Sequence, residues 1–329
     1  MLARMIFLLV LGALAVGAAP VPKPALAPSE IVAAAPAADW VAIAPSDLLV
    51  MDLANGKRVV IQLMPAPFSQ GWVGNIRKLA AARFWDGTSI NRVQDNYVVQ
   101  WGDASEKKAL PTGMARVPAQ EYVDRSRSIR ADFFVTSDFR SAITMIKTFG
   151  PRSSGSIDED EDAVKMDGLK RADAYDHATG LWRGWPMAGN VATAWPVHCY
   201  GMVGVGRDMP PDTGTGAELY TVIGHAPRHL DRNIALVGRV IAGIEHLSSL
   251  PRGTGPLGFY EKPEERVTIT SVRMGTQMKD LPAYQYLSTE SASFAKYADA
   301  RANRRDAFFI QPAGGADICN IPVPVRKVP

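Results

Sequence analysis

Basic and acidic residues nearly cancel in this 329-residue chain, 36 Lys and Arg against 33 Asp and Glu, for a formal net charge of +3. No long basic cluster is interleaved with aromatics, so nucleic acid is not an implied partner. Less an N-terminal leader and tether, the length suits one large domain or one domain with a long insertion.

The chain opens with Arg4, an apolar run from Met5 to Ala15, and the small residues Gly17, Ala18 and Ala19. This order predicts a secretory signal peptide over 1–18, with Val16 and Ala18 at the positions that demand small side chains. The apolar run is too short to cross a ~30 Å hydrocarbon core as a helix. No stable membrane insertion is therefore expected after cleavage, and no Cys follows to mark a lipoprotein. The expected location is periplasmic or secreted, with export through the inner membrane of a Gram-negative bacterium. Residues 19–45 are rich in Pro and Ala without apolar periodicity, which predicts an extended tether.

Leu48–Met51 and Arg58–Ile61 are β-rich runs, and Asn55-Gly56 between them predicts a hairpin. Phe68 to Ala82 reads as a helix capped by Ser69, with Val73, Ile76, Leu79 and Ala80 on one stripe, closing one end of a barrel. Phe84–Val93 and Tyr97–Asp103 hold two strand-like runs. Period-two alternation places Ile90 with Arg92 on one face, and Val98 with Gln100 on one face.

A long interval follows, about 107–200. It contains Asp132–Met145 and the acidic run Asp158–Asp162. Asp158, Asp160 and Asp162 match the first three ligand positions of a calcium loop. Ala163 stands where Gly is required, however, and Leu169 where a bidentate Glu belongs, so a solvated acidic loop is expected. Trp182, Trp185 and Trp195 are expected to pack this insertion onto the barrel. Cys199 and Cys319 either pair in an oxidising compartment or stand as two buried thiols. With His198 they make no spaced ligand pair, so neither a metal nor a cofactor is expected.

Gly201–Val205, Leu219–Ile223 and Ile234–Val237 read as further strands. Ile241–Leu247 reads as a second helix ending before Pro251, and Val267–Val272 as a strand returning to the sheet. From Ser291 to Phe309 a helix is expected, with Phe294, Tyr297 and Phe308 apolar. Ile321–Pro329 is expected to be extended. Two helices among many short strands predict a mainly β fold, a closed antiparallel barrel. The expected organisation is a leader at 1–18, a tether at 19–45, a barrel at 46–275 carrying the insertion, and a helical extension at 276–329. No G-x-S-x-G or H-E-x-x-H occurs near the histidines, which leaves a hydrolase unsupported.

Several of these segments, in this order, carry a resemblance. Phe84-Trp85, Ile90-Asn91-Arg92-Val93 and Tyr97-Val98-Val99-Gln100-Trp101-Gly102-Asp103 resemble the cyclophilin-type peptidyl-prolyl isomerase signature: an aromatic pair, F-H-R-V, then F-M-x-Q-x-G-D. Gly201–Arg207 resembles the family's G-x-L-S-M-A strand, and Gly216–Val222 its G-S-Q-F-F-I. His229-Leu230-Asp231, Val237–Val240 and Gly243-Ile244-Glu245 continue the match. The resemblance covers Leu48–Asp103 and Gly201–Leu250 and says nothing of the rest.

It implies a cyclophilin-like barrel and a peptidyl-prolyl cis-trans isomerase that binds proline-containing polypeptides, expected to act as a monomer. By resemblance, Arg92 is the catalytic group and Gln100 holds both the substrate carbonyl and Arg92. Tyr97, Val98, Tyr220 and Leu230 line the proline pocket. Arg207 sits where the backbone pairs with the peptide before the proline, and Gly206 beside it is a further substrate-binding position. Four positions depart from the pattern. Asn91 replaces a His or Tyr. Glu218 replaces a Gln and stands where it can pair with Arg92, orienting or occupying the guanidinium. His229 stands where many members have a Trp linked to cyclosporin binding, and Ile234 where some have His. The alternative is a catalytically weak peptide-binding or chaperone module, favoured by Asn91 and Glu218; Arg92, Tyr97 and Gln100 favour the isomerase.

Overall fold

A computed structural model of the chain describes residues 25–125, 134–135, 173–175, 178–190 and 192–328. The leader at 1–18 and the acidic run Asp158–Asp162 lie outside the described residues.

Eight strands close an antiparallel barrel. In chain order they are β2 (Leu48–Leu53), β3 (Arg58–Leu63), β4 (Ser89–Val93), β5 (Val98–Gly102), β10 (Met202–Val205), β11 (Leu219–Val222), β12 (Leu236–Ala242) and β13 (Val267–Met274). Around the barrel the order is β10-β11-β5-β4-β13-β2-β3-β12. Closure pairs every edge, which leaves no open ladder. The β2–β3 turn runs through Asn55-Gly56, with Gly56 at φ 75°, a left-handed value that glycine adopts at no steric cost. Val267–Met274 returns to the sheet as expected, pairing with β2 on one side and β4 on the other.

Helix α2 (Gln70–Ala81) buries Trp72, Val73, Ile76, Leu79 and Ala80. Ser69 holds its N-cap position but at φ 55°, and its side chain makes no cap bond. The carboxylate of Glu121 accepts from the Gly71 N–H at 3.1 Å instead, so this helix is capped from 50 residues away. The expected second helix is one turn, α3 (Glu245–Ser248), because β12 continues to Ala242 through its pairing with β3.

The tether reading is corrected over residues 28–43. Helix α1 (Pro28–Ala33) packs against helix α4 (Ala292–Ala302), and strand β1 (Trp40–Ile43) pairs with β14 (Tyr284–Leu287). Strand β15 (Val325–Lys327) completes this three-stranded sheet from the C-terminal end. Trp40, Ile43 and Leu287 are buried there, and that burial overrides a Pro/Ala-rich composition. Helix α4 stops at Ala302, short of Phe309, and Phe308 lies exposed beyond it. Ser291 caps α4 by accepting from the Phe294 N–H.

The insertion supplies a third sheet, β6 (Phe134–Val135), β7 (Ala178–Trp182), β8 (Trp185–Gly189) and β9 (Ala194–Pro196). Trp182, Trp185 and Trp195 are buried in the main core, and Trp182 meets Phe68 edge to face at 5.5 Å. Arg239 of β12 is buried beneath this sheet. It donates to Gln62 Oε1 and the Gly184 carbonyl, with its guanidinium 4.6 Å from the Trp185 ring. Burial draws it down to about 10. Cys199 and Cys319 form a disulfide that ties the start of β10 to the C-terminal segment, with Cα atoms 5.0 Å apart.

Candidate active site

The groove lies on the outer face of β4, β5 and β11. The register of β4 against β5 shifts between Ile90 and Arg92. This bulge breaks strict alternation. Ile90 and Val93 both enter the core, Asn91 turns inward, and Arg92 turns out to the groove. Ile90 and Arg92 therefore do not share a face. Asn91 is buried, accepting from Ser89 Oγ at 2.6 Å and donating to the Gly102 carbonyl at 3.3 Å. On β5 the alternation holds. Val99 and Trp101 face the core, while Val98 and Gln100 face the groove.

Arg92 and Gln100 are directly paired across the β4–β5 ladder, and Gln100 is paired with Tyr220 across β5–β11. One Nη–H of Arg92 donates to Gln100 Oε1 at 2.9 Å, and Nε–H donates to the Leu257 carbonyl at 2.7 Å. The other Nη donates to Gln94 Oε1. The guanidinium lies 5.7 Å from the Tyr97 ring and 5.4 Å from the Phe259 ring. Burial pulls its pKa below the ordinary guanidinium value, opposed by Tyr97 and Glu218. The cation is thus held by acceptors and aromatic faces.

Glu218, which stands where it can pair with Arg92, meets it through a relay instead of directly. Gln100 Nε2 donates to Glu218 Oε1 at 2.5 Å while its Oε1 accepts from Arg92. Burial raises the Glu218 carboxyl above its usual range, opposed by the Gln100 bond and by Arg92. Gly206 lies against this carboxylate: a Cβ there would meet Glu218 Cγ at 2.9 Å.

Beside the relay, Val98, Tyr220 and Val222 form a small apolar cluster distinct from the main core, with Tyr97 and Ile234 packed against it. Leu230, on the 3-10 turn Arg228–Leu230, is only partly buried and is not packed into this cluster; Ile234 occupies that wall. His229 is exposed on the same turn. Arg207 follows β10, donating from Nε to the Asn233 carbonyl at 3.0 Å and from Nη1 to the Asp208 carbonyl at 2.7 Å.

The structure adds Gln94, Leu257 and Phe259, which the sequence reading missed. Leu257 and Phe259 come from the loop after α3, and Phe259 makes an isolated β-bridge with Arg92. No local pattern marks them, because their role depends on a contact across 165 residues. Among the described residues no cluster of His, Cys, Asp and Glu is arranged to hold a metal ion. None of their helices is long and apolar enough to cross a membrane.

A family model described as cyclophilin type peptidyl-prolyl cis-trans isomerase/CLD matches residues 50–274, more than half of the chain. No curated relative matches. The crystal structure of cyclophilin AquaCyp293 from Hirschia baltica superposes with a TM-score of 0.58 at 20% identity, covering 83% of this chain and 92% of that one. At that identity the likeness establishes the fold. A cyclophilin type peptidyl-prolyl cis-trans isomerase from Cryptosporidium parvum, solved in the presence of the dipeptide Ala-Pro, is more distant. Its TM-score is 0.36 at 12% identity, over 69% of this chain and 98% of that one.

Proposed function

The chain belongs to the cyclophilin-type peptidyl-prolyl cis-trans isomerases, and on that premise we propose that it assists the folding of exported proteins, with Arg92 stabilising the twisted prolyl amide. The X-Pro bond resists rotation because the nitrogen lone pair is delocalised into the carbonyl. Uncatalysed interconversion takes tens to hundreds of seconds. Twisting returns the lone pair to the prolyl nitrogen. A donor aimed there stabilises the twisted state more than either planar isomer. No proton transfer or covalent intermediate is needed.

The observation that carries this reading is the placement of Arg92, on the groove face beside the Val98–Tyr220–Val222 cluster. A guanidinium has five N–H donors. Three are engaged by Leu257, Gln100 and Gln94, which leaves two for a substrate. The cluster, with Tyr97 and Ile234, offers the apolar surface a proline ring needs. In this reading Gln100 orients Arg92 and meets the substrate carbonyl, and the backbone at Gly206 and Arg207 meets the residues before proline.

The reading extends to a periplasmic monomer that acts on proline-containing polypeptides without nucleic acid or stable membrane insertion. Its supports are the basic and apolar leader, the small net charge and a disulfide of the kind that persists in oxidising compartments. A second reading, a peptide-binding module with weak turnover, draws on the three acceptors already on Arg92 and on Glu218 behind Gln100.

The test is an isomerisation assay on a short Xaa-Pro peptide. Arg92→Ala should lower turnover by roughly two to three decades, about 3–4 kcal/mol of transition-state stabilisation, in a protein that still folds. Unchanged turnover in the folded variant removes Arg92 from the mechanism. Negligible turnover by the native chain favours the binding module.

A further inference from the structure

Behind the apolar cluster runs a buried polar chain that the isomerase chemistry above does not use. The Tyr220 hydroxyl lies 2.8 Å from His198 Nε2. His198 Nδ1 lies 2.8 Å from Asp231 Oδ1, and the same oxygen accepts from the His198 backbone N–H at 2.9 Å. Arg228 Nε donates to Asp231 Oδ2 at 2.6 Å. Both Nη groups of Arg228 face Asp173, at 3.2 and 3.3 Å. Tyr175 packs under the same guanidinium at 5.1 Å. His198 is 0% exposed, and Tyr220, Arg228 and Asp231 are buried.

Chemistry fixes the direction of the carboxylate bond and, for a neutral imidazole, that of the hydroxyl bond. An ionised carboxylate only accepts, so Nδ1 carries the hydrogen and donates to Asp231. In the neutral imidazole Nε2 then accepts from the Tyr220 hydroxyl. Burial pushes the Tyr220 phenol well up, which keeps it a donor. Space for this arrangement comes from β10. Gly204 is paired with Tyr220, and a Cβ at 204 would stand 2.3 Å from the Tyr220 hydroxyl. The ring thus lies across a glycine, with its edge in the groove cluster and its hydroxyl tied behind.

We propose that His198 is a positioning residue for the isomerase: through the Tyr220 hydroxyl it sets the placement of the ring that floors the proline subsite, while Asp173 and Arg228 anchor it through Asp231. The inference rests on the isomerase reading of the groove. It gives the insertion a role, since Asp173 and His198 lie in the interval that adds to the barrel. A floor held from behind favours bound proline in ground and transition states alike, so its loss acts on KM rather than kcat.

The experiment is a double-mutant cycle on the full chain with Tyr220→Phe and His198→Ala, reading KM and kcat separately for an Xaa-Pro peptide. Each folded single variant should raise KM about fivefold, the worth of one hydrogen bond near 1 kcal/mol, with kcat within a factor of two. The double variant should match the worse single, and Asp173→Asn should raise KM in the same direction by less. Should His198→Ala not fold, nitrogen-15 NMR of the imidazole serves with Tyr220→Phe alone. The Nε2 resonance should move when the hydroxyl is removed and again when peptide is added to the native chain. Unchanged KM in folded variants, additive effects in the cycle, or an Nε2 resonance indifferent to peptide would overturn the proposal. A folded Arg92→Ala variant with full activity would instead overturn the isomerase reading of the groove, whatever the cycle gives.

Discussion

Breaking the Cys199–Cys319 bond, by reductant or by the paired substitutions Cys199→Ser and Cys319→Ser, should lower the melting temperature by about 8 °C. The bond spans a sequence separation of 120. In the chain-entropy model a loop of that length removes about 5 kcal/mol of disorder from the unfolded state. Near the midpoint a chain of this size unfolds with an entropy of about 2.1 cal/mol/K per residue, which converts that loss to about 8 °C. The full effect requires the C-terminal segment to stay seated until the barrel opens. Packing around Cys319 meets that requirement: Ile318 and Ile321 are buried in the core, the Tyr297 hydroxyl donates to the Pro322 carbonyl, and Arg301 donates to the Asn320 carbonyl. Calorimetry of oxidised, reduced and doubly substituted protein measures the shift. Intact mass without reductant should be two hydrogens below that of the reduced chain. Two alkylatable thiols in protein isolated without reductant would refute the pairing. Identical melting temperatures for native and doubly substituted protein would refute the entropy argument.

Glu218→Gln should stabilise the protein at pH 7, because burial holds the Glu218 carboxyl above its ordinary 4.5 and the ionised form weighs against the fold. That penalty disappears as pH falls below the unfolded value. The gain in urea melts should therefore close toward pH 4, and a constant gain at every pH would mean that ionisation is not its source. Arg273→Ala has the opposite pH signature. Arg273 grips both carboxylate oxygens of Asp86 at 2.6 and 2.7 Å and holds its pKa below the ordinary 3.8. Its loss should cost about 1–2 kcal/mol at neutral pH. The difference from the native chain should vanish as pH falls through the depressed Asp86 value, and a difference that survives in strong acid would point to packing instead. Phe259→Ala should lower kcat/KM about two- to fivefold, since the ring lies 5.4 Å from the Arg92 guanidinium, a contact worth about 0.5–1 kcal/mol. No change in the peptide assay would show that the Leu257 carbonyl and Gln100 orient Arg92 without it.

Local pattern alone determined the β2–β3 hairpin, because Asn55-Gly56 suits a left-handed turn, and the two faces of β5, because period two is a property of the backbone itself. The motif from Phe84 to Asp103 and the order from Gly216 to Glu245 likewise made the barrel and the Arg92–Gln100 pairing legible in the sequence. What the sequence did not disclose depends on partners far along the chain. The bulge that turns Arg92 outward while Ile90 stays in the core is set by register against β5 and β13, and nothing within Ser89–Val93 encodes it. Residues 28–43 have the composition of a tether, yet they fold because α4 and β14, some 250 residues on, bury one side of them. Glu218 is hydrogen-bonded to Gln100 rather than to Arg92 itself, and Leu257 and Phe259 reach Arg92 from a loop that carries no motif. The His198 chain behind Tyr220 joins the insertion, β11 and the turn at Arg228, three segments with no common local signal. A side chain's neighbours along the strand are fixed by covalent spacing, whereas its neighbours across the barrel exist only once the sheet has closed.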